Sequence, residues 1–340
     1  MAEKLTVAVV GATGAVGREI IHILEQREFP VKTLVPLEMQ KQQKRSVRFA
    51  KKDISVKELS DSAFNGVDLT FFAAGGTASK EFAWEAVRRG SLVVDNGSTF
   101  RMRPDVPLII PEVNLKHIRR HRGLISNPNP STIQMCVALK PISEKLGLKR
   151  IVVSTYQSVS SAGREAVDEL QQQLKALLSG KKYAPKVLSK QIAFNCIPQT
   201  DTVLADLSTR EESMIIEETR KIFSDPGLPI SATCVLVPVL QATGESVNVE
   251  AKKKLTLDAV RKMLKKSPGI VMMDDEDPAP GDELRRTYPL HVDVAGKDGV
   301  FVGRLRKDLS VESGFDMWIV ADNLRKGSAL NAIQIAEFLF

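Results

Sequence analysis

Histidine, cysteine and aromatic side chains are scarce in this 340-residue chain, and it has no long apolar run. The three cysteines, Cys136, Cys196 and Cys234, are far apart, odd in number and without CxxC spacing. That pattern excludes a disulfide framework or a zinc site, so no metal is expected and three buried free thiols are. Aromatics make up only 5% of the residues, too few for a base-stacking surface. The net charge of +7 and the basic clusters at 41–52, 116–122 and 251–255 therefore read as solvated charge or cofactor contacts, not as a nucleic-acid interface. The longest apolar stretches, "LTFFAA" and "TCVLVPVL", are strand-sized, well short of the ~20 residues needed to span a bilayer. The first residues run straight into a strand, so neither a signal peptide nor a membrane association is expected, and the location expected is cytoplasmic.

What is present is an ordinary globular composition, 43% hydrophobic and 26% charged, over more residues than one typical core holds. Strands read at "KLTVAVVG", "VKTLVPL", "VDLTFFAAG", "SLVVDNG" and "PLIIPEV". Helices read at 15–25, where Val16, Ile20, Ile23 and Leu24 share a side, and at 79–89. This is the rhythm of an α/β, Rossmann-type doubly wound parallel sheet. After residue 130 it changes. Helices at 131–146 and 164–178 separate long strands at "KRIVVSTYQSVSSAG", "ISATCVLVPVL", "ESVNVEAKKKL", "GVFVGRLRKD" and "FDMWIVADN". That pattern predicts an α+β domain with a mainly antiparallel sheet. "ADLSTREES" and "DDEDPAPGDE" read as surface loops, and "KGSALNAIQIAEFLF" as a final amphipathic helix.

In "VVGATGAVG", Gly11, Gly14 and Gly17 follow a strand and open a helix. Small residues are needed there because the turn is tight, the backbone approaches a pyrophosphate, and helix and strand pack closely. The helix N-terminus adds N–H donors and a positive dipole end. Gly11, Thr13, Gly14, Ala15 and Val16 are thus expected at a dinucleotide. At the end of the second strand the signals conflict. Glu38 stands where a ribose-binding acid belongs, and Lys41, Lys44 and Arg45 stand where a 2′-phosphate is met. NAD and NADP both stay open, with the basic group tilting the reading to NADP.

"ISNPNPSTIQM", residues 125–135, reads as a strand end, a turn and a helix start. Asn129 suits the N-cap and Pro130 the first helical position. The same position is where a helix dipole would activate a cysteine.

Together "VVGATGAVG", "FFAAGGTASKEFA", "VVDNGSTFRMRPDVPLIIPEVN", "STYQSVSSAG", "IAFNCIPQ", "VFVGRLRKD" and "ADNLRKGSALNAIQIAE" resemble the aspartate-semialdehyde dehydrogenases over nearly the whole chain. The resemblance implies a dinucleotide-binding domain over 1–130 that residues 324–340 rejoin. It also implies a substrate and dimerisation domain over 131–323, and a homodimer or homotetramer. The chemistry it implies is attack of a cysteine thiolate on an aldehyde, hydride transfer to NADP, and release of an acyl phosphate. A histidine would serve as acid/base, and arginines with a lysine–glutamate pair would hold substrate and phosphate.

Carried over by position, Arg101 matches the phosphate-binding arginine, and Glu211 the acid of the substrate pair. Asn129 and Gln157 match the neighbours of the nucleophile, Gly75 and Gly76 a loop near the cofactor, and Asn323 the asparagine at the nicotinamide amide. The reacting centre departs from the pattern. Pro130 stands for the cysteine, Thr243 for the histidine, Leu236 for an arginine and Met214 for the lysine. Proline cannot form a covalent intermediate, threonine is no base at neutral pH, and leucine removes a carboxylate clamp. Cys136, six residues past Pro130, reads as a core cysteine, Glu245 as an ordinary strand-edge residue, and Ser131 as a first-turn hydrogen-bonding residue. Two functions are compatible with these residues. One is a family member without the NADP-dependent aldehyde chemistry, a pseudoenzyme that regulates or stabilises a partner, such as an active paralogue in a hetero-oligomer. The other is a repurposed NAD(P)-dependent oxidoreductase that transfers hydride directly to a different carbonyl or imine.

Overall fold

Alternation of buried strands with amphipathic helices builds the first of two units in the computed structural model, which describes residues 4–39, 45–254, 256–274 and 287–340. The first unit is Met1–Pro130 with Lys221–Phe223 and Gly327–Phe340, and the second is Ser131–Arg220 with Ser224–Lys326.

The chain begins β1 (Leu5–Val10), α1 (Ala15–Gln26), β2 (Val31–Glu38), a hairpin of β3 (Ser46–Phe49) and β4 (Lys52–Ser55), and β5 (Lys57–Glu58). It continues β6 (Leu69–Phe72), α2 (Gly75–Arg88), β7 (Leu92–Asp95), α3 (Pro111–Asn114) and β8 (Leu124–Ser126). Six strands form one parallel sheet in the order β5-β2-β1-β6-β7-β8. The order reverses beside β1, so the switch point lies at the carboxyl ends of β1 and β6, where open α/β sheets bind ligands. Both faces of the sheet are covered. Val7 and Val9 pack with Ile20, Ile23 and Leu24 of α1 and Ile333 and Ala336 near the chain's end. Ala8 and Val10 pack on the other side with Ala78, Ala83 and Ala86 of α2. A sheet buried on both faces explains why these strands are continuously apolar instead of alternating.

The second unit holds α4 (Pro130–Leu146, entering from the first), β9 (Leu148–Gln157), α5 (Arg164–Leu178), α6 (Arg210–Phe223) and β10 (Ile230–Leu236). β11 (Thr243–Ala251), α7 (Leu257–Lys265), β12 (Ile270–Met272), α8 (His291–Val294), β13 (Val300–Asp308) and β14 (Gly314–Ala321) follow. Its sheet runs β10-β9-β11-β14-β13-β12. The outer pairs β10·β9 and β12·β13 are parallel and the three inner pairs antiparallel, so the sheet is mixed and mainly antiparallel. The chain closes with a π turn at Arg325–Ala329 and α9 (Leu330–Glu337), whose Asn331 donates to the Ile109 carbonyl and to Asn127 Oδ1 within the first unit.

Several expected elements differ. "PLIIPEV" is no strand. Leu108 makes one bridge to Ser126 and Pro111 opens α3, because its fixed φ suits a first helical turn and it has no N–H for a ladder. The run after Gln157 leaves the sheet as a 3-10 turn at Val159–Ala162. "ADLSTREES" is a loop only to Thr209, and the strand read as "ESVNVEAKKKL" ends at Ala251, before its lysines. Apart from Asp274, "DDEDPAPGDE" lies outside the described residues, as do Lys41 and Lys44. Among the described residues no helix is long and apolar enough to cross a membrane.

Candidate functional site

The Gly-rich turn sits at the switch point of the first sheet. A Cβ on Gly11 would stand 2.7 Å from the Ala73 backbone, and one on Gly17 only 2.1 Å from the Gly11 carbonyl oxygen. Glycine is therefore a packing necessity where this turn meets the β6–α2 turn. Gly14 is the N-cap of α1 and brings no side-chain cap. Ala15 and Val16 thus begin a helix whose first N–H groups have no intrahelical acceptor. Gly75, at φ +80°, turns the chain into α2, with open space where a Cβ would stand. Bare helix N-terminal amides and glycines without side chains fit the pyrophosphate of a dinucleotide. Gly11, Thr13, Gly14, Ala15, Val16, Gly75 and Gly76 all border this end of the sheet. Gly76 is tied down by the Thr99 hydroxyl, which donates to its carbonyl at 2.9 Å.

Just beyond β7, Arg101 is buried and its Nη2 donates to the Asn96 carbonyl at 2.8 Å. Asp95 ends β7, with its Oδ1 accepting from Ser79 Oγ at 2.6 Å and from the Gly97 N–H at 2.8 Å. Burial dominates those two bonds and the Arg101 charge, and pushes the Asp95 carboxyl up to about 6. Asn129 is buried, and Pro130 occupies the first position of α4.

In the second unit, strand register gathers residues that are far apart in sequence. Gln157 pairs with Leu236 of β10 on one side and with Thr243 of β11 on the other, so the three form a row across the sheet. Gln157 Nε2 donates to Ser131 Oγ at 3.3 Å and to Glu211 Oε1 at 3.0 Å. Ser131, Gln157, Glu211, Leu236 and Thr243 therefore converge at one end of the sheet. Met214 lies three residues beyond Glu211 on α6, on the same side of the helix. Leu236 is only 5% exposed and packs with Val159, Leu170, Ile192 and Ile197, so its surroundings are apolar. Thr243 is buried, and its carbonyl accepts from Gln134 Nε2 at 3.2 Å. Beside it, Asn323 Oδ1 accepts from the Ala242 N–H at 3.0 Å, and its Nδ2 donates to Ser160 Oγ at 3.1 Å. Ala242 holds φ +70°, a conformation that costs a non-glycine residue roughly 1 kcal/mol or more.

Neither buried thiol is poised to react. Cys136 is fully buried, and burial pushes its thiol far above the ordinary range. Cys234 is also buried and pushed up, to about 12, again mainly by burial. Cys196 is exposed, contrary to the expectation of three buried thiols, because it lies in the loop beside the single bridge Ile197↔Leu236. Among the described residues no group of three or more His, Cys, Asp or Glu could hold a metal ion.

Glu245 is not the strand-edge residue expected from the sequence. β11 lies in the interior of the sheet, not at its edge, and Glu245 is fully buried two residues beyond Thr243 on the same face. Burial first, and the charge of Glu211 in addition, push its carboxyl well above the ordinary range against the opposing Gln134 amide. Sequence reasoning also missed how α6 begins. The Glu212 N–H donates to Thr209 Oγ1 at 3.3 Å, and the Thr209 N–H donates to Glu212 Oε2 at 2.6 Å. This capping box was present as "TREE" and fixes the helix start that presents Glu211.

Residues 6–121 match the family model described as semialdehyde dehydrogenase, NAD binding domain, and residues 139–326 the one described as semialdehyde dehydrogenase, dimerisation domain. The chain is 46% identical over 338 residues to the aspartate-semialdehyde dehydrogenase of Aquifex aeolicus, covering 98% of this chain and 97% of that one. Against the Bacillus subtilis enzyme of the same name the identity is 44% over 347 residues, covering 100% and 98%. The solved structure of aspartate semialdehyde dehydrogenase II from Vibrio cholerae, complexed with ASA, aligns with a TM-score of 0.94 at 43% identity over 99% of this chain and 98% of that one. The chain therefore belongs to the aspartate-semialdehyde dehydrogenase family.

Proposed function

We propose that this chain binds a nicotinamide dinucleotide and forms a homodimer, but does not carry out the semialdehyde dehydrogenation that its relatives' name states. In this reading residues 1–130 with 324–340 hold the dinucleotide, and residues 131–323 form the dimerising domain. Gly11, Thr13, Gly14, Ala15, Val16, Gly75 and Gly76 would cradle the cofactor, and Asn323 is the residue that the family resemblance assigns to the nicotinamide amide. Arg101 and Glu211 would be what remains of the phosphate and substrate contacts. A bound nicotinamide supplies hydride acceptance, and the protein must supply the nucleophile, the base and the clamp.

The observation that carries the reading is the row Leu236–Gln157–Thr243 together with Pro130 at the head of α4. The frame is kept while each group that would react is apolar or uncharged. Leu236 sits in an apolar cluster and itself brings no charge for a substrate carboxylate. The buried thiols of Cys136 and Cys234 are pushed away from the thiolate form, so neither replaces a missing nucleophile. A scaffold of this kind would act by stabilising or regulating a partner in the cytoplasm. The test is to incubate pure protein with aspartate semialdehyde, phosphate and either dinucleotide. Absence of reduced cofactor, with dinucleotide binding intact, is expected, and phosphate-dependent turnover would overturn the reading.

A further inference from the structure

We infer that the dinucleotide site selects NAD over NADP and that Glu38 makes the selection; this rests on the dinucleotide-binding reading above. The observation is the seat of the Glu38 carboxylate. β2 ends at Glu38, and the Leu37 carbonyl accepts from the Gly11 N–H at 2.8 Å and from the Ala12 N–H at 3.3 Å. The end of β2 is thus fastened to the Gly-rich turn. Glu38 Oε1 then accepts from the Thr13 N–H at 2.8 Å and from the Thr13 hydroxyl at 2.7 Å. Two donors from the turn itself hold the carboxylate beside the path of the adenosine half of a dinucleotide.

The ribose of that half sits at the end of the second strand in this class of fold. A carboxylate there accepts from the vicinal hydroxyls of NAD. A 2′-phosphate would bring about two negative charges against it in a partly desolvated place, where like charges at hydrogen-bond distance repel strongly. Arg45 is the countervailing feature. Its Nη1 donates to Thr13 Oγ1 at 3.2 Å, so it stands on the same side. Arg45 is solvent-exposed, however, and its single charge is screened there. Glu38 takes two short hydrogen bonds from the turn, whereas Arg45 makes one long one from an exposed side chain, so the acid decides. Selection of NAD runs against the tilt to NADP read from the basic segment, of which Lys41 and Lys44 lie outside the described residues.

The test is calorimetric titration of the full-length protein with NAD and with NADP, in the wild type and in Glu38→Gln. Glutamine keeps an oxygen for Thr13 and nearly the same volume while removing the charge. The wild type should bind NAD about tenfold or more tightly than NADP, a factor equal to roughly 1.4 kcal/mol. Glu38→Gln should tighten NADP about tenfold and weaken NAD only severalfold, closing the gap. Equal or tighter binding of NADP by the wild type would overturn the inference alone, whether or not the variant folds. An unchanged NAD:NADP ratio in folded Glu38→Gln would remove Glu38 from the role. If neither dinucleotide binds, the binding reading fails and takes this inference with it.

Discussion

Replacing Asp95 by asparagine should stabilise the protein at alkaline pH and lose that effect in acid. Both hydrogen bonds to Asp95, from Ser79 Oγ and the Gly97 N–H, fall on Oδ1, and Oδ2 has no hydrogen-bond partner among the described residues. An asparagine oxygen can keep both bonds while the amide takes the place of Oδ2. The native carboxyl titrates at about 6, against an ordinary value of 3.8. The folded state therefore holds its proton to higher pH than the unfolded state does. Stability from this group is full below the unfolded value and falls as pH rises through the folded one. At roughly 1.4 kcal/mol per pH unit of displacement, ionised Asp95 costs about 3 kcal/mol above the window and about 0.5 kcal/mol at pH 4. Trading a charged acceptor for a neutral one weakens the two bonds by about 1 kcal/mol in total. The net gain for Asp95→Asn is then about 1–2 kcal/mol at pH 8, with none at pH 4. Urea unfolding of wild type and variant at both pH values, at one fixed protein concentration because a dimer unfolds with mass action, reads this directly. A variant that is no more stable at pH 8, or that gains equally at both, would refute burial of charge as the cause.

Pro130→Cys alone should remain inactive towards aspartate semialdehyde, since in the proposed reading Thr243 and Leu236 still stand at the base and clamp positions; a steady-state assay showing dehydrogenase activity in that single variant would contradict this. Iodoacetamide followed by peptide mass spectrometry should leave Cys136 and Cys234 unmodified in the native protein and modify them only after unfolding, because burial removes both access and thiolate.

The fold could be read from sequence where local rules decide it. The Gly-rich turn, the continuously apolar strands and the change of rhythm after residue 130 each carry their own periodicity or steric requirement. Pro111 and the Thr209–Glu212 box were also local, and rules for proline and for capping would have placed α3 and the start of α6. The gathered site was not readable in the same way. The row Leu236–Gln157–Thr243 depends on which strand pairs with which, and in what register, and a one-residue slip would turn every side chain to the other face. The burial of Glu245 depends on β11 lying inside the sheet, and the apolar surroundings of Leu236 on α5 and the 190s loop packing over it. The identities of the residues were legible; that Gln157, Leu236 and Thr243 share one end of one sheet was not.

The most direct test of the central claim is a turnover assay on the pure wild-type chain, with aspartate semialdehyde, phosphate and saturating NAD or NADP, run beside an active relative such as the Bacillus subtilis enzyme. Loss of a nucleophile or its base typically costs about 10⁴-fold or more in rate, and the two act as a unit. The account predicts no phosphate-dependent formation of reduced cofactor above a limit about 10⁴-fold below the relative's rate. Turnover within about a hundredfold of the relative would contradict it.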